Sequence, residues 1–132
     1  MTRMTLTALA ATAALIALTG PASLSAKPAK NPVPPARYTG PERACVPVHQ
    51  LGDSRIRDDR TIDFMRTGKR GWRVVLPHRC PGLRAADSFT YKTSLSQLCN
   101  VDIIHVLNRV GGTYQRGAAC GMGKFQPIEL IR

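Results

Sequence analysis

The sequence predicts an all-β domain: a small antiparallel sheet curled toward a barrel or sandwich and stapled by two disulfides. Three observations predict it. Ile62 and Phe64 alternate with Asp63, and Trp72, Val74 and Leu76 alternate again beyond a polar, glycine-bounded turn, Thr67–Gly71. That is the pattern of a β-hairpin with one apolar face. Four cysteines, Cys45, Cys80, Cys99 and Cys120, are present without any Cys-x-x-Cys pair, which favours structural bridges over a redox pair or zinc ribbon. Short β-rich runs bounded by glycine and proline recur along the chain, and helical periodicity is nearly absent.

The elements follow in order. Arg3 precedes the apolar run Leu6–Leu18, and Gly20, Pro21 and the small residues Ser23–Ala26 follow it. This is the build of a cleaved secretory signal peptide, residues 1–26, with Ala22 or Ala26 as the cleavage position. The run is too short to cross a bilayer comfortably, since thirteen helical residues span roughly 20 Å. The expected locale is the periplasm or outside the cell, where thiols pair. Lys27–Pro41 carries five prolines and no apolar period, so residues 27–42 are expected to form an extended, flexible tether. The folded unit is expected over residues 43–132.

Within it, Cys45–Leu51 and Arg55–Ile56 offer one or two strands, followed by the hairpin. His78–Asp87, with Pro77 and Pro81–Gly82, is a loop. Phe89–Tyr91 is a short strand, and Ser94–Cys99 a single helical turn. Val101–Leu107, dense in β-branched residues, is expected to be the most buried strand and to stop at Asn108–Gly112. Cys120–Ile128 is the last strand, with Gly121 and Gly123 permitting a bulge or a close backbone approach. Five to seven strands result. Four cysteines allow three pairings. The expected one is Cys45–Cys120 with Cys80–Cys99, tying the domain's ends and closing its middle.

Charge bounds the partners. Lys and Arg number 19 against 8 acids, a net charge of +11, and loss of Arg3 with the leader leaves about +10. Such a chain attracts polyanions and repels basic proteins, which disfavours inhibition of a basic lysozyme-like enzyme. Anionic lipids, lipopolysaccharide, cell-wall polymers, extracellular nucleic acid and an unidentified protein are the candidate partners. The best candidate patch is Lys69, Arg70 and Arg73 around Trp72, extended by Arg79 and Arg84, where cations beside an aromatic can grip phosphate. The bland counterpart is a hairpin whose Trp72 faces the core and whose charges are merely solvated.

Catalytic signals are weak. His49, His78 and Lys92 or Lys124 have the residue types of a small ribonuclease-like hydrolase, while His105 lies in an apolar strand as a structural histidine. The three histidines match no zinc spacing. Asp58, Asp59 and Asp63 are flanked by Arg55, Arg57 and Arg60 and read as a turn with local ion pairs rather than a glycosidase pair or calcium loop. Gly121-x-Gly123 lacks a third glycine for a nucleotide loop. No metal and no cofactor are expected.

One resemblance gathers these residues. Cys45, Asp58–Phe64 (DDRTIDF), Leu76–Pro77, Cys80–Leu83 (CPGL), Leu98–Cys99, Ile103–Val106 and Cys120–Phe125 (CGMGKF) occur in an order that resembles an uncharacterised family of small exported bacterial proteins, a domain of unknown function. The resemblance covers Arg43 to Ile128. It implies an exported fold and no known activity. The expectation is a non-enzymatic exported domain that binds an anionic envelope component or a protein, the alternative being a nuclease-like hydrolase using histidines.

Overall fold

The computed structural model describes residues 33–93 and 95–131. The expected signal peptide and the first part of the tether lie outside the described residues. Among the described residues ten strands are present: β1 Ala36–Tyr38, β2 Cys45–Pro47, β3 Asp53–Ile56, β4 Thr61–Thr67, β5 Arg70–Val75, β6 Phe89–Tyr91, β7 Gln97–Cys99, β8 Ile103–Val110, β9 Thr113–Gly121 and β10 Phe125–Leu130. A 3-10 turn covers Val48–Gln50, and one helical turn, α1, covers Leu83–Ala86. All pairings are antiparallel. They build a five-stranded sheet in the order β1-β10-β5-β4-β3, a three-stranded sheet β6-β8-β9, and the pair β2-β7.

The three sheets share one core. Ile62, Phe64, Val74 and Phe125 come from the five-stranded sheet, Ile104 and Val106 from the three-stranded one, and Val46 and Leu98 from the pair. Phe64 joins two of them, meeting Phe89 edge-on at 6.2 Å and Phe125 at 6.1 Å between ring centroids. Offset and edge contacts of this kind add to the area they bury. The hairpin forms with its apolar residues paired, Ile62 with Val74 and Phe64 with Trp72, and Trp72 packs half-buried against the core. Burial does not alternate in β4, however: Thr61, Asp63 and Met65 on the other face are buried as well.

Several expectations are corrected. The disulfides are Cys45–Cys99 and Cys80–Cys120, not Cys45–Cys120 and Cys80–Cys99. Pairing of β2 with β7 sets Cys45 directly opposite Cys99, their Cα atoms 4.0 Å apart. Cys80 is buried, held by its N–H to the Asp59 carbonyl, and bridges the loop after β5 to β9. One bridge thus closes a two-stranded ribbon, and the other ties the two larger sheets. Residues expected in the tether reach the sheet: Ala36–Tyr38 pair with Leu130–Ile128, so folded structure begins before Arg43. Residues 97–99 of the expected helical turn form β7, because their backbone finds a partner in β2.

The most buried strand is β4, with five consecutive buried residues from Thr61 to Met65. In β8 only Ile104 and Val106 are buried; Val101 and Ile103 are 81% and 52% exposed. Nor does β8 stop at Asn108. It runs to Val110, turns through Gly111 and Gly112, both at positive φ, and returns as β9. A two-residue glycine turn suits the twist of such a hairpin. Cys120–Ile128 is split between the end of β9 and β10. The close approach expected at Gly123 is present: a Cβ there would sit 2.1 Å from the Val75 carbonyl oxygen.

Candidate anion-binding site

The five residues of the expected patch do not converge. Arg73 lies in β5 directly opposite Asp63 in β4, and its guanidinium donates Nε to Oδ1 at 2.7 Å and Nη2 to Oδ2 at 2.9 Å. Arg57 donates Nε to the same Oδ2 at 2.8 Å. Asp63 is fully buried, so its charge is taken up by two arginines. Hydrogen bonding to that carboxylate pushes the Arg73 pKa up, holding it charged. The spare valence of Nη2 binds the Pro34 carbonyl at 2.9 Å, tying the first described residues to the sheet. Arg73 is therefore a structural residue.

Arg79 and Arg84 are engaged by Asp59. Its Oδ2 accepts Arg79 Nη2 at 2.7 Å, and its Oδ1 accepts the Arg84 backbone N–H at 2.8 Å. These bonds, the backbone one foremost, hold the Asp59 carboxyl below its ordinary pKa. Arg84 also reaches the Ile56 carbonyl and stands 3.8 Å from Asp87. The acidic cluster is likewise dispersed: Asp58 accepts the Arg60 N–H, a local turn bond, while Asp59 and Asp63 serve different arginines. Lys69 and Arg70 stand exposed at the hairpin tip, Lys69 in a depression that also contains Arg37, Glu129 and Leu130. Trp72 takes its cation from elsewhere, the Arg43 guanidinium lying 5.5 Å from the ring centroid.

A different set converges on the three-stranded sheet. Lys92, His105 and Arg116 line one cavity of about 310 Å³, with Thr90, Tyr91, Val101, Asp102 and Ile103. Register explains the assembly. Thr90 pairs with His105, and His105 with Ala119, so these share the face of the sheet turned away from Ile104 and Val106. Between His105 and Leu107 the pairing slips by one residue, so that Leu107 faces Arg116. Uninterrupted pairing would have set Arg116 opposite Asn108 and on the other face. The bulge at Gly117–Ala118 turns it onto the face of His105, a role bulges often serve near binding sites.

None of Lys92, His105 and Arg116 has an ion-pair or side-chain hydrogen-bond partner among the described residues. Asp102, the one acid at the rim, has its Oδ2 engaged by the Cys99 N–H at 2.7 Å. His49 is exposed on the 3-10 turn and His78 on the loop after β5, and neither lines this cavity. Lys124 stands 3.7 Å from Glu42 on the other sheet. Among the described residues no three His, Cys, Asp or Glu side chains are placed to hold a metal ion.

Fold and site together define a small, disulfide-bonded all-β domain with a cavity on one sheet lined by Lys92, His105 and Arg116 beside a single carboxylate, Asp102. Compared with known proteins, the chain matches no family model, no curated protein and no solved structure. Among the described residues no helix is long and apolar enough to cross a membrane.

Proposed function

We propose that this protein is an exported, non-enzymatic β-domain that binds a phosphate-bearing component of the cell envelope through the outer face of β6, β8 and β9. The observation that carries the reading is the cavity of Lys92, His105 and Arg116, three groups with no acidic side chain bonded to any of them among the described residues. Buried or paired arginines spend their charge inside the fold; unpaired ones around a concave surface attract an anion and give up little to hold it. Residues 1–26, read as a leader, and the two disulfides support export, and the reading keeps the kinship with small exported bacterial proteins as part of the proposal. A net charge near +10 favours encounter with any polyanion of the envelope.

Binding is favoured over turnover because the cavity's one imidazole, His105, has no carboxylate or second imidazole hydrogen-bonded to it among the described residues. General acid–base hydrolysis of a phosphodiester calls for two proton-transferring groups. The test is binding of inorganic polyphosphate to the oxidised protein at low and physiological salt. Lys92→Ala with Arg116→Ala is expected to weaken it on the order of tenfold or more, since each lost charge-assisted hydrogen bond costs about 1.5–3 kcal/mol. Equal affinity of parent and variant defeats the reading. Release of nucleotides from RNA that disappears with His105→Ala would establish the hydrolase instead.

A further inference from the structure

Beyond the cavity, the distal end of the β8–β9 hairpin runs clear of the core. Every residue from Asn108 to Arg116 is exposed, and β9 pairs with β8 alone. From Ile103 to Gly121 the chain contains no aspartate and no glutamate. The arm instead carries Arg109 and Arg116, both unpaired among the described residues, around Val110 and Tyr114, which are 50% and 62% exposed. The Arg109–Tyr114 and Val110–Thr113 pairs put Tyr114 and Val110 on opposite faces of the ribbon. A single-faced docking groove would leave one of them in water. End-on insertion into a soft interface buries both.

We propose that this arm docks on the surface of an anionic phospholipid bilayer. Val110 and Tyr114 enter the interfacial layer, and Arg109 and Arg116 bind lipid phosphates, as basic groups beside an interfacial aromatic do. The glycine pair at the turn, at φ 56° and 84°, makes a narrow tip without bulky side chains of its own. The lead-in adds Val101 and Ile103 beside the cavity, so the phosphate-binding groups stand next to apolar surface. The proposal rests on the anion-binding reading of that cavity and names the anion's source.

The experiment is co-sedimentation of the oxidised protein from Lys27 onward, because Leu6–Leu18 would itself enter vesicles. That form retains every described strand, both disulfides and the core. Phosphatidylglycerol-containing vesicles, pure phosphatidylcholine vesicles and soluble polyphosphate are compared. The parent is expected to bind the anionic vesicles at least about tenfold more tightly than the zwitterionic ones. Val110→Ser with Tyr114→Ser is expected to lose about tenfold or more on anionic vesicles, from the apolar area no longer buried, and to keep polyphosphate binding, which also shows that it is folded. In Tyr114→Trp, emission is expected to move to shorter wavelength on those vesicles, whereas Trp72 of the parent, on the other sheet, does not respond. Vesicle binding by the double variant equal to the parent's, or an unshifted Tyr114→Trp emission, overturns the proposal. Polyphosphate binding without vesicle binding overturns it too and leaves the anion-binding reading standing. Loss of both in the parent defeats both. Displacement from vesicles by a single-stranded oligonucleotide at equal phosphate concentration would reassign the arm to nucleic acid.

Discussion

The β4–β5 and β8–β9 hairpins are both basic, yet one is built around a buried acid and the other has none. In β4–β5 the acids are interleaved with the bases: Asp63 sits across from Arg73 and beside Arg57, and Glu129 of the adjoining β10 takes Arg37 at 2.8 Å. Of the hairpin's four cations, Arg73 has its charge consumed in holding the strands together, whereas Arg66, Lys69 and Arg70 stay exposed without an ion pair among the described residues. The β8–β9 hairpin has no acid at all between Ile103 and Gly121, so Arg109 and Arg116 keep theirs. Counting cations along a chain therefore does not say which of them meet a carboxylate; that appears only once the strands are in register.

The largest effects should fall on the internally balanced side. Removing the bridge between the two larger sheets, with Cys80→Ala and Cys120→Ala, is expected to cost about 4 kcal/mol on the chain-entropy model for its separation of 40 residues. Asp63→Ala comes next, at about 3 kcal/mol, because it strands two partly buried guanidinium groups. Both are read by urea denaturation. The comparison breaks if Asp63→Ala leaves stability intact, or if the folded fraction of that variant loses polyphosphate binding as Lys92→Ala with Arg116→Ala does.

The legible part of the molecule is the part whose partners are close in sequence. The β4–β5 alternation fixes its own register, and that register places Asp63 opposite Arg73; the ion pair that removes Arg73 from the surface could have been read from the chain. β7 could not, since Gln97–Cys99 has no strand pattern of its own and becomes a strand only against β2, a long way back along the chain. The same long-range pairing settles the disulfides. β9 was hidden for a different reason. Its sequence, TYQRGAACG, shows no alternation, because it is an edge strand carrying small residues and a bulge. Arg116 is hidden with it, although the acid-free run from Ile103 to Ile128 in a basic chain is a usable signal.

A gentler intervention sharpens the contrast by giving the β8–β9 arm the acids that β4–β5 already has. Asn108 and Gln115 face each other across the arm and are exposed. Asn108→Asp with Gln115→Glu is expected to weaken binding of inorganic polyphosphate several-fold at low salt, and less at high salt, as screened surface charges do. Stability should change by no more than about 0.5 kcal/mol, as for exposed sites in general. A large loss of stability would mean that the arm is part of the core after all.

The smallest effect separates the two regions by pH. Asp59 has its pKa held below the ordinary 3.8 by the Arg84 N–H and by Arg79. A carboxylate whose pKa is lower folded than unfolded stabilises the fold above the unfolded value, and that contribution fades as pH falls through the folded one. The stability difference between the parent and Asp59→Asn should therefore be full near neutrality and shrink as the pH drops below about 4. It should stay under about 1 kcal/mol, because Arg79 is largely exposed and screened by water. Polyphosphate affinity at neutral pH should be the same in both proteins, since Asp59 organises the loop from Arg79 to Arg84 and touches nothing on the β6–β8–β9 face. A parallel fall in affinity would show that this loop, through Cys80–Cys120, sets the position of the cationic strand, and the two regions would then act as one.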